Sequence, residues 1–280
     1  MRASAIVLQL AAAVAVASAA AAVQAPVPSG RATALFQPLV ADPNEPQFFA
    51  TYLWARSPRL ASRLGSVGFG QTIGLVGGPD WQVAITAGVF SQFNMGSSTT
   101  DLLNTDYIVG IPVTYRHGSL ATRLRLFHQS SHLGDEYMAH THAQRVDLTF
   151  QAVDLLVAHQ APTWRAYGGG GYVFAHSPAD LRPGVLHGGF EYRQARSWLR
   201  LGRSLGGRLV AGLDAKSIQD RQWQVGWSVV TGLELGDPLA VPGSGSRWSV
   251  LLKGYTGPAP YGEFYRDHVS SLGVGVGFTP

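Results

Sequence analysis

Residues 222–236 read QWQVGWSVVTGLELG. Alternate positions carry Trp223, Val225, Trp227, Val229, Thr231, Leu233 and Leu235, and between them stand Gln222, Gln224, Gly226, Ser228, Val230, Gly232 and Glu234. A period of two is that of a β-strand with one apolar face and one face of small or polar residues. WQVAITAGVFSQF (81–93), TDYIVGIPVTY (105–115) and SSLGVGVGF (270–278) repeat the pattern. The runs are about ten residues long, whereas strands of soluble domains average about five or six. A strand that crosses an outer membrane needs about 9–11 residues. Runs of this length, often ending in aromatic residues, are the signature of a transmembrane β-barrel, in which closure alone satisfies every edge.

The rest of the chain fits an all-β, antiparallel transmembrane barrel of the bacterial outer membrane with about 12 strands. The expected strands are 47–55, 67–76, 81–93, 104–115, 119–131, 144–157, 164–175, 185–194, 207–218, 222–235, 247–256 and 269–278. GGPD (77–80) and RHGS (116–119) are tight connections, which belong on the periplasmic side; NMGSSTTDLL (94–103) and HLGDEYMAHTHA (132–143) are long, as outer loops are. DPLAVPGSGS (237–246) is long for a periplasmic turn. Trp54, Trp81, Tyr107, Tyr115, Trp164, Trp223 and Trp248 lie near strand ends, where aromatic belts form. Phe278 takes the place of a terminal aromatic, two residues before the end.

Composition agrees. Only 14% of the 280 residues are charged, against about 25% in an ordinary soluble domain, and 34 are glycine. The one long apolar run is MRASAIVLQLAAAVAVASAAAAVQA (1–25). Arg2, an apolar stretch from Ala5 to Ala17 and A-x-A sites make it a cleaved export signal, assigned to residues 1–22. Residues 23–46, with LFQPLVADPNEP at 35–46, are an extended lead-in, and 47–280 form the barrel. There is no cysteine, so no disulfide supports the exported fold. The net charge of +4 includes no basic run, which argues against a nucleic-acid partner. The expected partners are outer-membrane lipids and, during insertion, the barrel-assembly machinery.

The strand SLATRLRLFHQSSH (119–132) carries the candidate chemistry. Arg123 and Arg125 share one phase, and an arginine facing mid-bilayer lipid costs about 2–4 kcal/mol, so this phase faces the lumen. Leu124, Leu126, His128 and Ser130 then face outward. Because the strand starts at the tight RHGS turn, His128 and Ser130 stand at the outer polar boundary of the bilayer. A serine hydroxyl becomes nucleophilic when an adjacent base takes its proton, and two strand residues span about 6.6 Å.

His128-Gln129-Ser130 resembles the H-x-S motif of two families of outer-membrane barrel enzymes, outer-membrane phospholipase A and the lipid A deacylases. That resemblance implies Ser130 as nucleophile, His128 as base, and a third polar residue about a dozen positions beyond the serine. His142 occupies that place, with Gln144 next in phase. Asp135 and Glu136 are further candidates. With His132, His140 and His142 they also suggest a divalent cation such as calcium, which the phospholipase resemblance implies. LFQPLVADP, RLRLFHQSSHLGDEY, RAYGGGGYVF and GEFYRDHVSSLGVGVGF resemble a domain-of-unknown-function family of exported bacterial barrels, which implies fold and location without an activity.

The remaining charges fit a filled lumen. Arg123 and Arg125 are expected opposite Asp147 and Arg145, and Glu191, Arg193, Asp214, Lys216, Glu234 and Lys253 are also in inward phase. Gly168–Gly171 lies within a strand with no helix after it, which excludes a phosphate loop. Three functions stay open: a non-catalytic structural or lipid-binding barrel, a serine esterase acting on lipid acyl chains, and a narrow channel.

Overall fold

The computed structural model describes residues 35–143, 145–201, 205–241 and 243–280. The export signal at 1–22, the first part of the lead-in and Gln144 lie outside the described residues. The elements are β1 (Phe48–Arg56), β2 (Arg63–Gly77), β3 (Trp81–Asn94), β4 (Leu102–His117), β5 (Leu120–Leu133), α1 (Asp135–Thr141), β6 (Thr149–Gln160), β7 (Trp164–Ser177), β8 (Gly184–Arg193), β9 (Leu199–Leu201), β10 (Leu205–Ile218), β11 (Val225–Gly236), β12 (Arg247–Pro258) and β13 (His268–Thr279). All belong to one 13-stranded sheet apart from α1. The three-residue β9 pairs only with β10; the other 12 strands are antiparallel to their neighbours, and β13 pairs with β1 to close the barrel. No helix among the described residues is long and apolar enough to cross a membrane. The barrel crosses with strands.

The two-residue alternation sets the two faces. On β5, Arg123 and Arg125 are buried toward the lumen, while Leu124 and Leu126 are exposed on the outer wall. Aromatic pairs ring the tight-turn end: Trp81 lies across from Tyr115, Trp164 from Tyr192, and Trp248 from Phe278. The Trp248 and Phe278 rings are 4.9 Å apart, so the final strand is anchored although two residues follow Phe278. Trp54, Tyr107, Trp223 and Trp227 are exposed toward the long-loop end.

Two expected strands begin later than the periodicity suggests. Residue 147 has φ of 54°, so extended pairing starts only at Thr149 in β6. Gln222 and Trp223 have φ of 54° and 61°, and β11 starts at Val225. The left-handed region is costly for residues with a side chain and cannot continue a ladder. As a result the arginine partners differ from the expectation: Arg125 Nε donates to Asp154 at 2.9 Å, and Arg123 Nη1 to Glu45 at 2.7 Å, not to Asp147 and its neighbour.

Glu45 belongs to the lead-in, which enters the lumen. Arg165 donates to the carbonyls of Gln37 and Pro38 at 2.7 and 2.9 Å. The Val40 N–H donates to Glu191 at 2.7 Å, and Lys216 Nζ to Asp42 at 2.7 Å. The Phe36 ring lies beneath the guanidinium groups of Arg123 and Arg165. From the other end, the β12–β13 connection folds inward, burying Tyr261 and Phe264. The Gly262 N–H donates to Asp106 at 2.8 Å, with φ of 66° and no room for a Cβ beside Asn104. Tyr261 then reaches the Pro43 carbonyl at 2.6 Å, joining the two inserts.

Candidate functional site

β5 is flanked by β4 and β6, and paired residues across antiparallel strands point the same way. His128 lies between Val109 and Gln151, and Ser130 between Tyr107 and Thr149. Val109 and Tyr107 are exposed, so this patch is on the outer wall. His128, Ser130, Thr149 and Gln151 are half-buried there. His132, next in phase, packs edge-on against Tyr107 with centroids 5.9 Å apart.

The His128 Nδ1 atom lies 3.1 Å from the side-chain amide nitrogen of Gln151. An amide can turn to present oxygen or nitrogen, and the two are assigned by the network around them. With the oxygen toward the ring, Nδ1 keeps its proton and Nε2 is left as the basic nitrogen. Among the described residues His128 Nε2 and Ser130 Oγ have no hydrogen-bond partner, and no bond joins them to each other. The site therefore holds an imidazole beside a cross-strand amide, with a free hydroxyl two positions further along the same face; Nε2 is the basic nitrogen when the amide presents its oxygen to Nδ1.

The other sequence-derived candidates are placed elsewhere. Loop 134–148 carries α1, with Asp135 and Glu136 exposed in its first turn. The Asp135 side chain is 92% exposed and only 3.7 Å from Arg145. His140 Nδ1 lies 3.2 Å from Asp101. Together with the Thr99 hydroxyl, which is the larger influence, it holds the Asp101 carboxyl below its ordinary value. His142 ends α1 with φ of 54°, exposed and not hydrogen-bonded to His128. Asp135, Glu136 and the loop histidines do not converge, so as placed they do not form a cation site. Among the described residues the group with ligand atoms within 4.8 Å of one another is Asp42, His187 and Asp214, in the lumen. Lys216 and Tyr167 already bind Asp42 and Asp214, and His187 donates to or accepts from Asp214 at 2.7 Å, so this is a closed charge network.

Gln151 is the residue the sequence reading missed. It lies 21 positions beyond Ser130 because a helix-bearing loop intervenes. Its one sequence signal is a polar side chain in the outward phase of TFQAVDLLV, where Val153 and Leu155 follow.

Residues 6–279 match the family described as "Protein of unknown function (DUF1207)", and the chain belongs to that family. Among curated proteins none matches. Among solved structures, the outer membrane phospholipase (OMPLA) dimer of Salmonella typhi with bound calcium is 15% identical with a TM-score of 0.51, over 82% of this chain and 90% of that one. Outer membrane phospholipase A of Escherichia coli is 13% identical with a TM-score of 0.52, over 83% and 97%. An active-site mutant of that enzyme, in which an asparagine is replaced by alanine, is 14% identical with a TM-score of 0.52, over 83% and 91%. At these identities the likeness is one of fold: the chain is an outer-membrane-type β-barrel.

Proposed function

We propose that this member of the DUF1207 family is a serine esterase that hydrolyses acyl chains of outer-membrane lipids. Ser130 attacks the ester carbonyl while His128 Nε2 takes the hydroxyl proton. The tetrahedral adduct expels the alcohol, which leaves with that proton, and an acyl-serine forms. Water, deprotonated by the same nitrogen, releases the fatty acid and restores Ser130. Gln151, with its amide turned to present the oxygen, keeps Nδ1 protonated and leaves Nε2 as the base.

The observation that carries this reading is the Gln151 amide at 3.1 Å from His128 Nδ1, on the outer wall beside Ser130. A polar rim that merely meets headgroups has no need of an imidazole held by a cross-strand amide. The phospholipase mutant with a comparable fold names an asparagine, also an amide, as an active-site residue of that protein. The competing reading is a lipid-binding barrel without turnover, supported by the missing bond between Ser130 and His128. Such bonds are often long before substrate binds. Purified barrel refolded into micelles with a fluorogenic phospholipid separates the two. Release of fatty acid by the wild type and its loss in Ser130→Ala is the expected result. Equal rates in both, or no release, rejects the esterase.

A further inference from the structure

A cavity of about 90 Å³ lies between the lead-in, β1, β12 and β13. Its lining runs from Thr279 and Phe48 at the tight-turn end to Leu60 and Val269 toward the long loops. Glycines on the inward phase of β13 make the room: Gly275 and Gly277 both line it. Most of the wall is apolar, yet Lys253 projects into it. The ammonium sits 4.4 Å over the Phe49 ring. No carboxylate forms an ion pair with it among the described residues; Asp42, on the same wall, is held by Lys216 at 2.7 Å. Lys253 is half-buried, and a charge drawn from water without a counter-charge is costly, a cost that a ring face offsets only in part.

Two more side chains on this wall are unsatisfied. Thr51, 7% exposed, has a hydroxyl with no partner, and Gln92, 5% exposed, an amide oxygen with none. Buried polar groups are nearly always satisfied in folded proteins. Thr51 is two positions from Phe49 on β1, whose ring carries the Lys253 ammonium, so one ammonium and one free hydroxyl on an otherwise apolar wall match a group with one negative charge attached to hydrocarbon.

From this juxtaposition we infer that the lumen cavity binds a carboxylate carrying an alkyl chain, with Lys253 and the Thr51 hydroxyl on the carboxylate and the apolar wall around the chain. The site is in the lumen, on the opposite side of the barrel wall from the Ser130 patch, and the inference does not depend on hydrolysis there. A divalent or purely inorganic anion suits it less, because the alkyl-lined remainder of the cavity gives such an ion no partner.

The test uses the full barrel in a non-ionic detergent, with carboxyl-labelled octanoate followed by carbon-13 NMR. Octanoate is expected to bind saturably at one site per barrel, and octanol not to compete. Lys253→Met should weaken binding at least tenfold and Thr51→Val several-fold. Because the Thr51 hydroxyl has no protein partner, its variant should keep the fold, which a heat-dependent gel shift checks. Octanoate binding equally to wild type and both folded variants overturns the proposal, as does competition by octanol. Displacement of octanoate by equimolar bromide also overturns it, since the site would then recognise a bare anion.

Discussion

Gln151 and His142 compete for one role, and the distinction is made at a single ring nitrogen. The Gln151 amide meets His128 Nδ1, whereas His142 faces solvent at the end of α1. A hydrogen bond to a group that becomes charged is worth about 1.5–3 kcal/mol. If the proposed hydrolysis occurs, Gln151→Leu should lower kcat about 10- to 100-fold, measured with the fluorogenic phospholipid, while His142→Ala should leave it within about twofold of wild type. A large loss in the His142 variant with none in the Gln151 variant would return the orienting role to the loop. The sequence made the dyad legible because two arginines fix the phase of β5, and phase alone says that His128 and Ser130 face outward. It did not make the third residue legible. Cross-strand partners depend on register, and register here depends on a 15-residue connection containing a helix whose length has no period to read.

Single strands show how far alternation reaches. It located the twelve barrel strands to within a few residues, except where the backbone turns left-handed at 147, 222 and 223. Side-chain pattern cannot reveal such residues, since Trp223 and Val225 read as one apolar face whichever way the chain turns. The assigned faces have a direct energetic test on β5. Leu124→Arg places a guanidinium on the lipid wall and should cost about 2–4 kcal/mol, whereas Ser130→Arg, at the outer boundary, should cost about 0–1 kcal/mol. Equilibrium denaturation in lipid vesicles measures both; equal costs would mean that Ser130 is not at the boundary. The lead-in gives a second test. Arg123→Met leaves Glu45 buried without its partner, a change that typically costs about 3–5 kcal/mol. The double variant Arg123→Met with Glu45→Leu removes both charges and should recover most of that loss. If the double variant is as unstable as the single one, the pair is not what holds the lead-in.

At the scale of the whole molecule, the question is what closes the lumen. Inward charge was legible from strand phase, and it argued for a filled barrel; that the filling includes the chain's own lead-in was not legible, because LFQPLVADPNEP has no period and its partners lie as much as 218 residues away. The inserts meet where Tyr261 reaches Pro43, so each supports the other. The intact barrel should therefore be silent in a planar bilayer, which disfavours the channel reading. Deleting residues 35–46 should open it. The deletion removes Asp42 and Glu45 and leaves Lys216 and Arg123 without those partners on the lumen wall. The opened barrel should then conduct with a preference for anions, and the preference should weaken as salt rises, because screening lengths fall from about 10 Å at 0.1 M to about 3 Å at 1 M. A folded deletion variant that stays silent would transfer the seal to the β12–β13 insert alone. A cation-selective one would mean that the remaining lumen carboxylates, not the released Arg123 and Lys216, dominate the field inside the barrel.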